Sequence, residues 1–180
     1  MNGIKKQLNE ALSENQNILI SSTIKTHEDT IKAFHKFISK NFKKICMITI
    51  NEPVPVLMKK LEKDGTDFSN YYFIDCISQS MNIKITRSEK CLAIASPAAL
   101  TELSIAIANL TKANKIDIIV LDSVSSLLIY NQDVITLKFM HFLMIKVRSM
   151  NIKGAYTIMK DGKEQILSDL ALFADKILEF

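Results

Sequence analysis

Three apolar runs in this sequence end in an acid, and one acid is followed at once by a hydroxyl. They are ITINEP with Glu52, YFIDC with Asp75, and IIVLDS with Asp122 and Ser123. Four apolar residues ahead of an aspartate, as in IIVLD, have the form of a strand whose last side chain holds magnesium directly or through water. An acid placed like Glu52 can act as the general base that activates a water. The same pattern has a plainer use, because strands often end in an aspartate whose carboxylate accepts the amides of the following turn. Position matters here: in open parallel sheets, ligands bind beyond the carboxyl ends of the strands.

A metal end needs a phosphate end. The stretch NILISSTIKTHEDTIKAFHKF, residues 17–37, reads as strand, polar turn and amphipathic helix, the layout that cradles phosphates. A phosphate loop of the form GxxxxGK[ST] uses glycines so that successive amides curl round the anion, and a lysine to reach its outer oxygens. The segment STIKTHEDTIK contains no glycine. Lys25 is the only basic residue ahead of the helix, and it precedes Thr26. The candidate ligand-binding residues are therefore Lys25 and Thr26 on one side, Asp122 and Ser123 on the other, with Asp122 the candidate for a metal and Glu52 the candidate catalytic acid. Thr26 followed three residues later by Asp29 matches a capping box, with Glu28 in the same first turn. Each acid there is worth ~0.3–1 kcal/mol to the helix and repels a polyphosphate. His27 lies in the turn, while His35 and His141 fall within helices. DGKEQ, residues 161–165, lacks the upstream glycine and reads as a plain turn.

The elements that must position these residues follow from periodicity. Ile4, Leu8, Ala11 and Leu12 share one face of a leading helix. Strands follow at NILIS, KICMITI, YYFIDCI, CLAIA, KIDIIVLDS, KGAYTIM and DKILEF, with a further short strand expected around Ile83–Ile85. Between them run helices carrying Ile31, Phe34, Phe37 and Ile38; Val54, Leu57, Met58 and Leu61; and Leu100, Leu103, Ile107 and Leu110. SPAAL is expected to start the last of these, with Ser96 as cap and Pro97 in the first position. KIDIIVLDS is apolar almost throughout, as befits a central strand covered on both faces. Strands alternating with helices predict right-handed crossovers and an α/β three-layer sandwich with a mainly parallel sheet. The helix Asp133–Ser149 has two apolar stripes. The expectation is burial on both sides, with a subunit contact as the alternative.

The chain of 180 residues, 48% hydrophobic and 23% charged, fits one domain: residues 17–180, with the helix of residues 1–16 belonging to the same unit. Its net charge of +4 permits a nucleic-acid partner, for which Lys84, Arg87 and Lys90 are the basic loop, without indicating one. Cys46, Cys76 and Cys91 are widely spaced and read as reduced, packed thiols. No apolar run nears the roughly 18–20 residues of a membrane span and the N-terminus has no signal-peptide core, so a cytoplasmic protein without membrane contact is expected.

Taken together, the degenerate loop, ICMITINEPVPVLMKKLEKDG, YYFIDCIS, SPAALTELSIAI, IIVLDSVSSLLIYN, FMHFLMIKVRS and FADKILEF resemble the RecA-like fold, and within it the archaeal KaiC-like ATPase homologues that lack a working phosphate loop. The resemblance runs from Asn17 to Phe180. In active relatives a pair of glutamates closes the second strand, and the first polarises the attacking water. The matching positions here are Asn51 and Glu52, and Asn51 cannot accept a proton. Asp122 matches the magnesium-binding aspartate, with Ser123 and Ser125 in the sensing turn after it. The resemblance implies a pseudo-ATPase that needs no cofactor and acts through a protein partner or self-association, the helix Asp133–Ser149 being the candidate surface. The alternatives are an enzyme that takes ATP with magnesium at an atypical site, and a nucleic-acid-binding module.

Overall fold

The computed structural model describes residues 2–85 and 88–180, so Arg87 of the basic loop lies outside the described residues. In chain order the elements are α1 (Asn2–Glu14), β1 (Asn17–Ser22), α2 (His27–Asn41), β2 (Ile45–Thr49), α3 (Val54–Lys63), β3 (Tyr71–Asp75), β4 (Cys91–Ala93), α4 (Leu100–Asn114), β5 (Ile118–Asp122), α5 (Val124–Tyr130), α6 (Asp133–Ser149), β6 (Lys153–Met159), α7 (Glu164–Ala171) and β7 (Lys176–Glu179). The seven strands form one sheet in the order β4-β3-β2-β5-β6-β1-β7, and every pairing between them is parallel. β5 is the middle strand and all five of its residues are buried. Each such aliphatic side chain contributes about 1.5–3 kcal/mol when fully buried, which is why the most apolar run sits at the centre.

Two apolar layers sandwich the sheet. On one face Leu8 and Leu12 of α1, Phe34 and Ile38 of α2, and Leu57 and Leu61 of α3 cover Ile18, Met47, Phe73 and Val120. On the other, Leu103 and Ile107 of α4, Leu127 of α5, Met140 and Met144 of α6, and Leu170 of α7 cover Leu19, Ile48, Ile74 and Ile119. Alternation along each strand divides the two sets. Gly65, with φ +66°, ends α3 by adopting the left-handed conformation.

Four features differ from the sequence reading. No strand forms at Ile83–Ile85; the chain turns back there, with the Ile83 amide on the Ser78 carbonyl at 2.9 Å. α4 begins at Leu100, because Ser96–Ala99 close a turn of their own in which Ala99 N–H donates to the Ser96 carbonyl at 3.0 Å. Ser123 caps an unanticipated short helix, α5, its Oγ accepting from Ser126 N–H at 3.3 Å. Finally, α6 is an outer-layer helix. Phe139, Met140, Leu143, Met144 and Val147 are buried, but Val134, Ile135, Phe142 and Ile145 are 60, 46, 51 and 49% exposed. Burial on both sides is thus overturned, since the sheet lies on only one side of it.

Candidate functional site

At the carboxyl ends of the strands a polar row crosses the α2–α3 face of the sheet. Thr49 lies in register with Asp75 on one side and Asp122 on the other. Asp122 Oδ1 accepts from Thr157 Oγ1 at 2.7 Å and from Asn51 Nδ2 at 3.1 Å. Asn51 Oδ1 in turn accepts from Ser123 Oγ at 3.3 Å and from the Ser126 hydroxyl. Asn51 therefore ties Asp122 to the start of α5, through an amide that cannot take a proton. Ser125 is committed elsewhere: its Oγ accepts from Met159 N–H at 2.9 Å and donates to the Met159 carbonyl at 3.3 Å, clamping the end of β6.

Above this row, between α2 and α3, opens a cavity of about 550 Å³. Asp122 and Glu52 line it, so the structure brings these two candidates together. His27 and Glu28 close it at the start of α2; the His27 ring lies 3.0 Å from Ser22 Oγ through Nδ1. The remaining charged groups were not anticipated as site residues: Lys32, Lys60, Lys63 and Asp64. Two of the lysines are already paired, Lys60 with Glu52 at 2.6 Å and Lys32 with Asp64. The hydrogen bond and charge of Asp64 hold the Lys32 ammonium above its ordinary pKa. Glu28 and Lys32 stand four apart on α2, a spacing that in sequence marks a charged helix face. Asp64 joins only through the fold.

The proposed phosphate end is arranged differently. Lys25 is exposed in the turn and is not among the cavity-lining residues. Thr26 is the N-cap residue of α2, but its side chain does not cap. The expected capping box is therefore absent: Thr26 Oγ1 donates instead to the Phe180 backbone oxygen at 2.8 Å and accepts from Thr23 N–H at 3.1 Å. The other amides of the bend are also taken. Ile24 N–H donates to Asp161 Oδ2 at 2.8 Å, while Thr26 and His27 N–H both donate to the Thr23 carbonyl, at 3.1 and 2.9 Å. A phosphate cradle works by turning unsatisfied amides toward one point. Between Thr23 and His27, four of five amides already have acceptors inside the protein.

The arrangement of the parallel sheet and its flanking helices is found in solved structures. The chain is similar to the KaiC-like protein PH0186 of the hyperthermophilic archaeon Pyrococcus horikoshii OT3, with a TM-score of 0.65 at 15% identity, over 91% of this chain and 71% of that one. The fold is RecA-like. No protein-family model matches the sequence, and neither does the sequence of any curated protein. In this RecA-like sheet Glu52, in the loop after β2, and Asp122 of β5 share one cavity, while the bend after β1 is closed by hydrogen bonds within the protein. Among the described residues no three His, Cys, Asp or Glu side chains gather closely enough to hold a metal ion. No helix of the described chain is long and apolar enough to cross a membrane.

His35, at the inner wall of the cavity, is buried, with Nδ1 3.2 Å from the Tyr71 hydroxyl. Burial lowers its pKa below the ordinary 6.5, against the opposing charges of Asp122 and Asp64. The unfolded chain therefore binds a proton at His35 that the folded chain refuses. Stability contributed by the neutral ring is fully present above pH 6.5 and falls as pH drops below it toward the lower folded value, at up to about 1.4 kcal/mol per pH unit. His35→Phe should flatten this part of the profile. Urea unfolding between pH 4.5 and 7.5 checks it, and equal slopes for both proteins would refute the assignment.

The remaining thiols do no visible chemistry. Cys46 and Cys76 are buried and Cys91 half-buried, all free. Burial pushes Cys46 up to about 12 and Cys91 up to about 11, leaving negligible thiolate near neutrality. Lys90 of the basic loop donates to the Ser69 carbonyl at 2.7 Å and lies over the Tyr72 ring.

Proposed function

We propose that this chain is a RecA-like domain that has given up polyphosphate binding and acts through protein contacts, as a scaffold or regulator. The single observation that carries the reading is the closed bend after β1. Its amides are spent on Thr23, Thr26 and Asp161, its threonine hydroxyl on Phe180, and its lysine lies outside the cavity. A triphosphate arriving there would have to displace a carboxylate from Ile24 and would meet Glu28 at the rim. A charge-assisted amide contact is worth about 1.5–3 kcal/mol, and the one from Ile24 is already made internally to Asp161. Isothermal titration with ATP and ADP in magnesium is expected to show no binding tighter than millimolar. Micromolar binding with turnover removes the reading.

The cavity supports a second reading. Its volume of about 550 Å³ falls within the 300–1,000 Å³ usual for ligand sites, and it joins Asp122 and Glu52 to three lysines. Magnesium ATP or a smaller anion would then sit against α2 and α3, with Asp122 as the metal ligand, Glu52 as base and Lys60 freed from it. On this reading Asp122→Ala abolishes whatever ligand affinity the protein has. An unchanged affinity counts against the site. Nucleic-acid binding, resting on the +4 charge and the loop lysines, predicts a gel shift that weakens steeply with salt.

A further inference from the structure

The inner wall of the cavity between α2 and α3 carries two polar atoms that the protein leaves without partners. Asp122 is 8% exposed and His35 3%, yet both line the cavity. Asp122 spends Oδ1 on Thr157 and Asn51, while Oδ2 accepts from no group among the described residues and is not sealed from solvent. His35 spends Nδ1 on the Tyr71 hydroxyl, and its Nε2 is likewise unpartnered among the described residues and unsealed. Both atoms are acceptors. The Tyr71 hydroxyl donates its one proton to the His35 carbonyl at 3.4 Å, so Nδ1–H is the donor toward the phenol oxygen and Nε2 keeps its lone pair. Burial holds the ring neutral at neutral pH, and the two groups are near enough for the Asp122 charge to act on it. Polar groups turned away from water are costly unless something pairs with them, and here two open into the same space.

We propose that this cavity binds a small organic ammonium compound with an apolar body, its N–H groups donated to Asp122 Oδ2 and His35 Nε2 and its body laid on Ile31, Leu57 and Leu61. The charges of the lining select the cation. Lys60 and Lys32 are taken by Glu52 and Asp64, and Lys63 and Glu28, both exposed, offset each other at the rim. No cation is paired with Asp122 among the described residues. An anion reaching the inner wall would face a carboxylate and a lone pair, whereas an ammonium brings three donors and the missing positive charge. A bare metal ion is the poorer fit, since no three of its usual side-chain ligands gather there among the described residues. The apolar part of the wall has its own use. Ile31, Leu57 and Leu61 offer a body of carbon atoms a place out of water, and a volume of about 550 Å³ is of small-molecule size.

This inference goes beyond the protein-contact reading and does not depend on it: nucleotide titration tests the bend after β1, whereas amine titration tests the inner wall of the cavity. Tryptamine serves as the probe, with indole propionate, which exchanges the ammonium for a carboxylate on the same body, as the control. Isothermal titration of the full chain is expected to give a dissociation constant of about 1 mM or tighter for tryptamine and at least tenfold weaker binding of indole propionate. Asp122→Asn keeps the oxygen to which Thr157 and Asn51 donate and removes only the charge, so it should weaken tryptamine at least tenfold with little change in melting. Ile31→Trp, at a half-buried position, fills the cavity from α2 and should block the amine while Asp122 stays in place. Nitrogen NMR of His35 supplies a further readout, in which the unprotonated Nε2 signal moves on addition of tryptamine. Absence of tryptamine binding up to about 10 mM overturns the proposal. Equal binding of indole propionate, or tryptamine binding indifferent to both variants, overturns it as well, since the amine then sits elsewhere.

Discussion

Asp75→Ala is expected to cost about 4 kcal/mol of stability, although the residue looks in sequence like a third member of the acidic site. Asp75 is fully buried. Its Oδ1 accepts the amides of Ile77 and Ser78 at 3.0 and 2.8 Å, and its Oδ2 accepts the amide of Val54 at 2.8 Å and the Ser78 hydroxyl at 2.7 Å. One carboxylate thus satisfies the first amide of α3 and the turn that leaves β3. Alanine leaves four donors without acceptors where water does not reach, and each such group costs about 1–3 kcal/mol. Local relaxation and entry of a water lower the total, which sets the figure at about 4 kcal/mol, or roughly 8–16 °C in Tm for a chain of this size. Asp75→Asn keeps one acceptor oxygen and should lose about half as much. Thermal melting of both variants decides the matter. A melting point for Asp75→Ala within 2 °C of the parent would mean that the carboxylate does not hold α3, and that its place beside Thr49 must be explained by chemistry after all.

β3 and β5 end in Asp75 and Asp122, Glu52 follows β2 by three residues, and the fates of the three acids differ for reasons the sequence does not contain. Asp75 is consumed by backbone amides within three residues of itself and by one from α3. Asp122 is held by side chains from β6 and from the β2–α3 loop, and keeps one edge on the cavity. Glu52 reaches the same cavity but meets Lys60 of the helix that follows it, α3. An acid after an apolar run was legible in each case. Which carboxylate faces a cavity depends on the sheet order β3-β2-β5-β6, and that order is a property of long-range pairing.

The bend after β1 shows the same division. The lack of glycine in STIKTHEDTIK is plain in the sequence. What occupies its donors was not legible, because Asp161 and Phe180 lie 137 and 154 residues away along the chain. The capping box was misread for the same reason: a threonine hydroxyl goes to the best acceptor in space, and a tertiary one won. Helix α6 was legible to its bounds, since seventeen residues without a breaker leave little freedom. Its exposed stripe was not, because an apolar pattern states that a face wants cover and leaves unstated whether the same chain supplies it.

Gly154→Ala should be among the most damaging single changes in the molecule, and it tests how α6 is fixed to the sheet. Gly154 and Tyr156 lie on the same side of β6, and the Tyr156 hydroxyl reaches back over Gly154 to donate to Asn17 Oδ1 at 2.7 Å. The Asn17 amide donates in turn to the Met144 carbonyl of α6 at 3.2 Å, so one buried chain of hydrogen bonds joins β6, β1 and α6. A methyl at position 154 would come within 2.3 Å of the Tyr156 oxygen and 2.7 Å of Asn17 Oδ1. Tyr156 is fully buried. Overpacking of this kind costs about 1–3 kcal/mol, and parting the hydroxyl from Asn17 adds the desolvation of both groups, about 1–3 kcal/mol more. A loss of about 4 kcal/mol is therefore expected in urea unfolding. Tyr156→Phe removes the oxygen that the methyl strikes, at a cost of about 1 kcal/mol for the lost hydrogen bond. The closest clash and the bond share the hydroxyl oxygen, while the contacts with the ring carbon at 2.8 Å and Asn17 Oδ1 at 2.7 Å remain, so the effects should add only in part: the double variant should lose less than the sum of the two single changes, by on the order of 1 kcal/mol. Simple additivity of the two changes would show that the glycine is tolerated for some other reason than the hydroxyl above it.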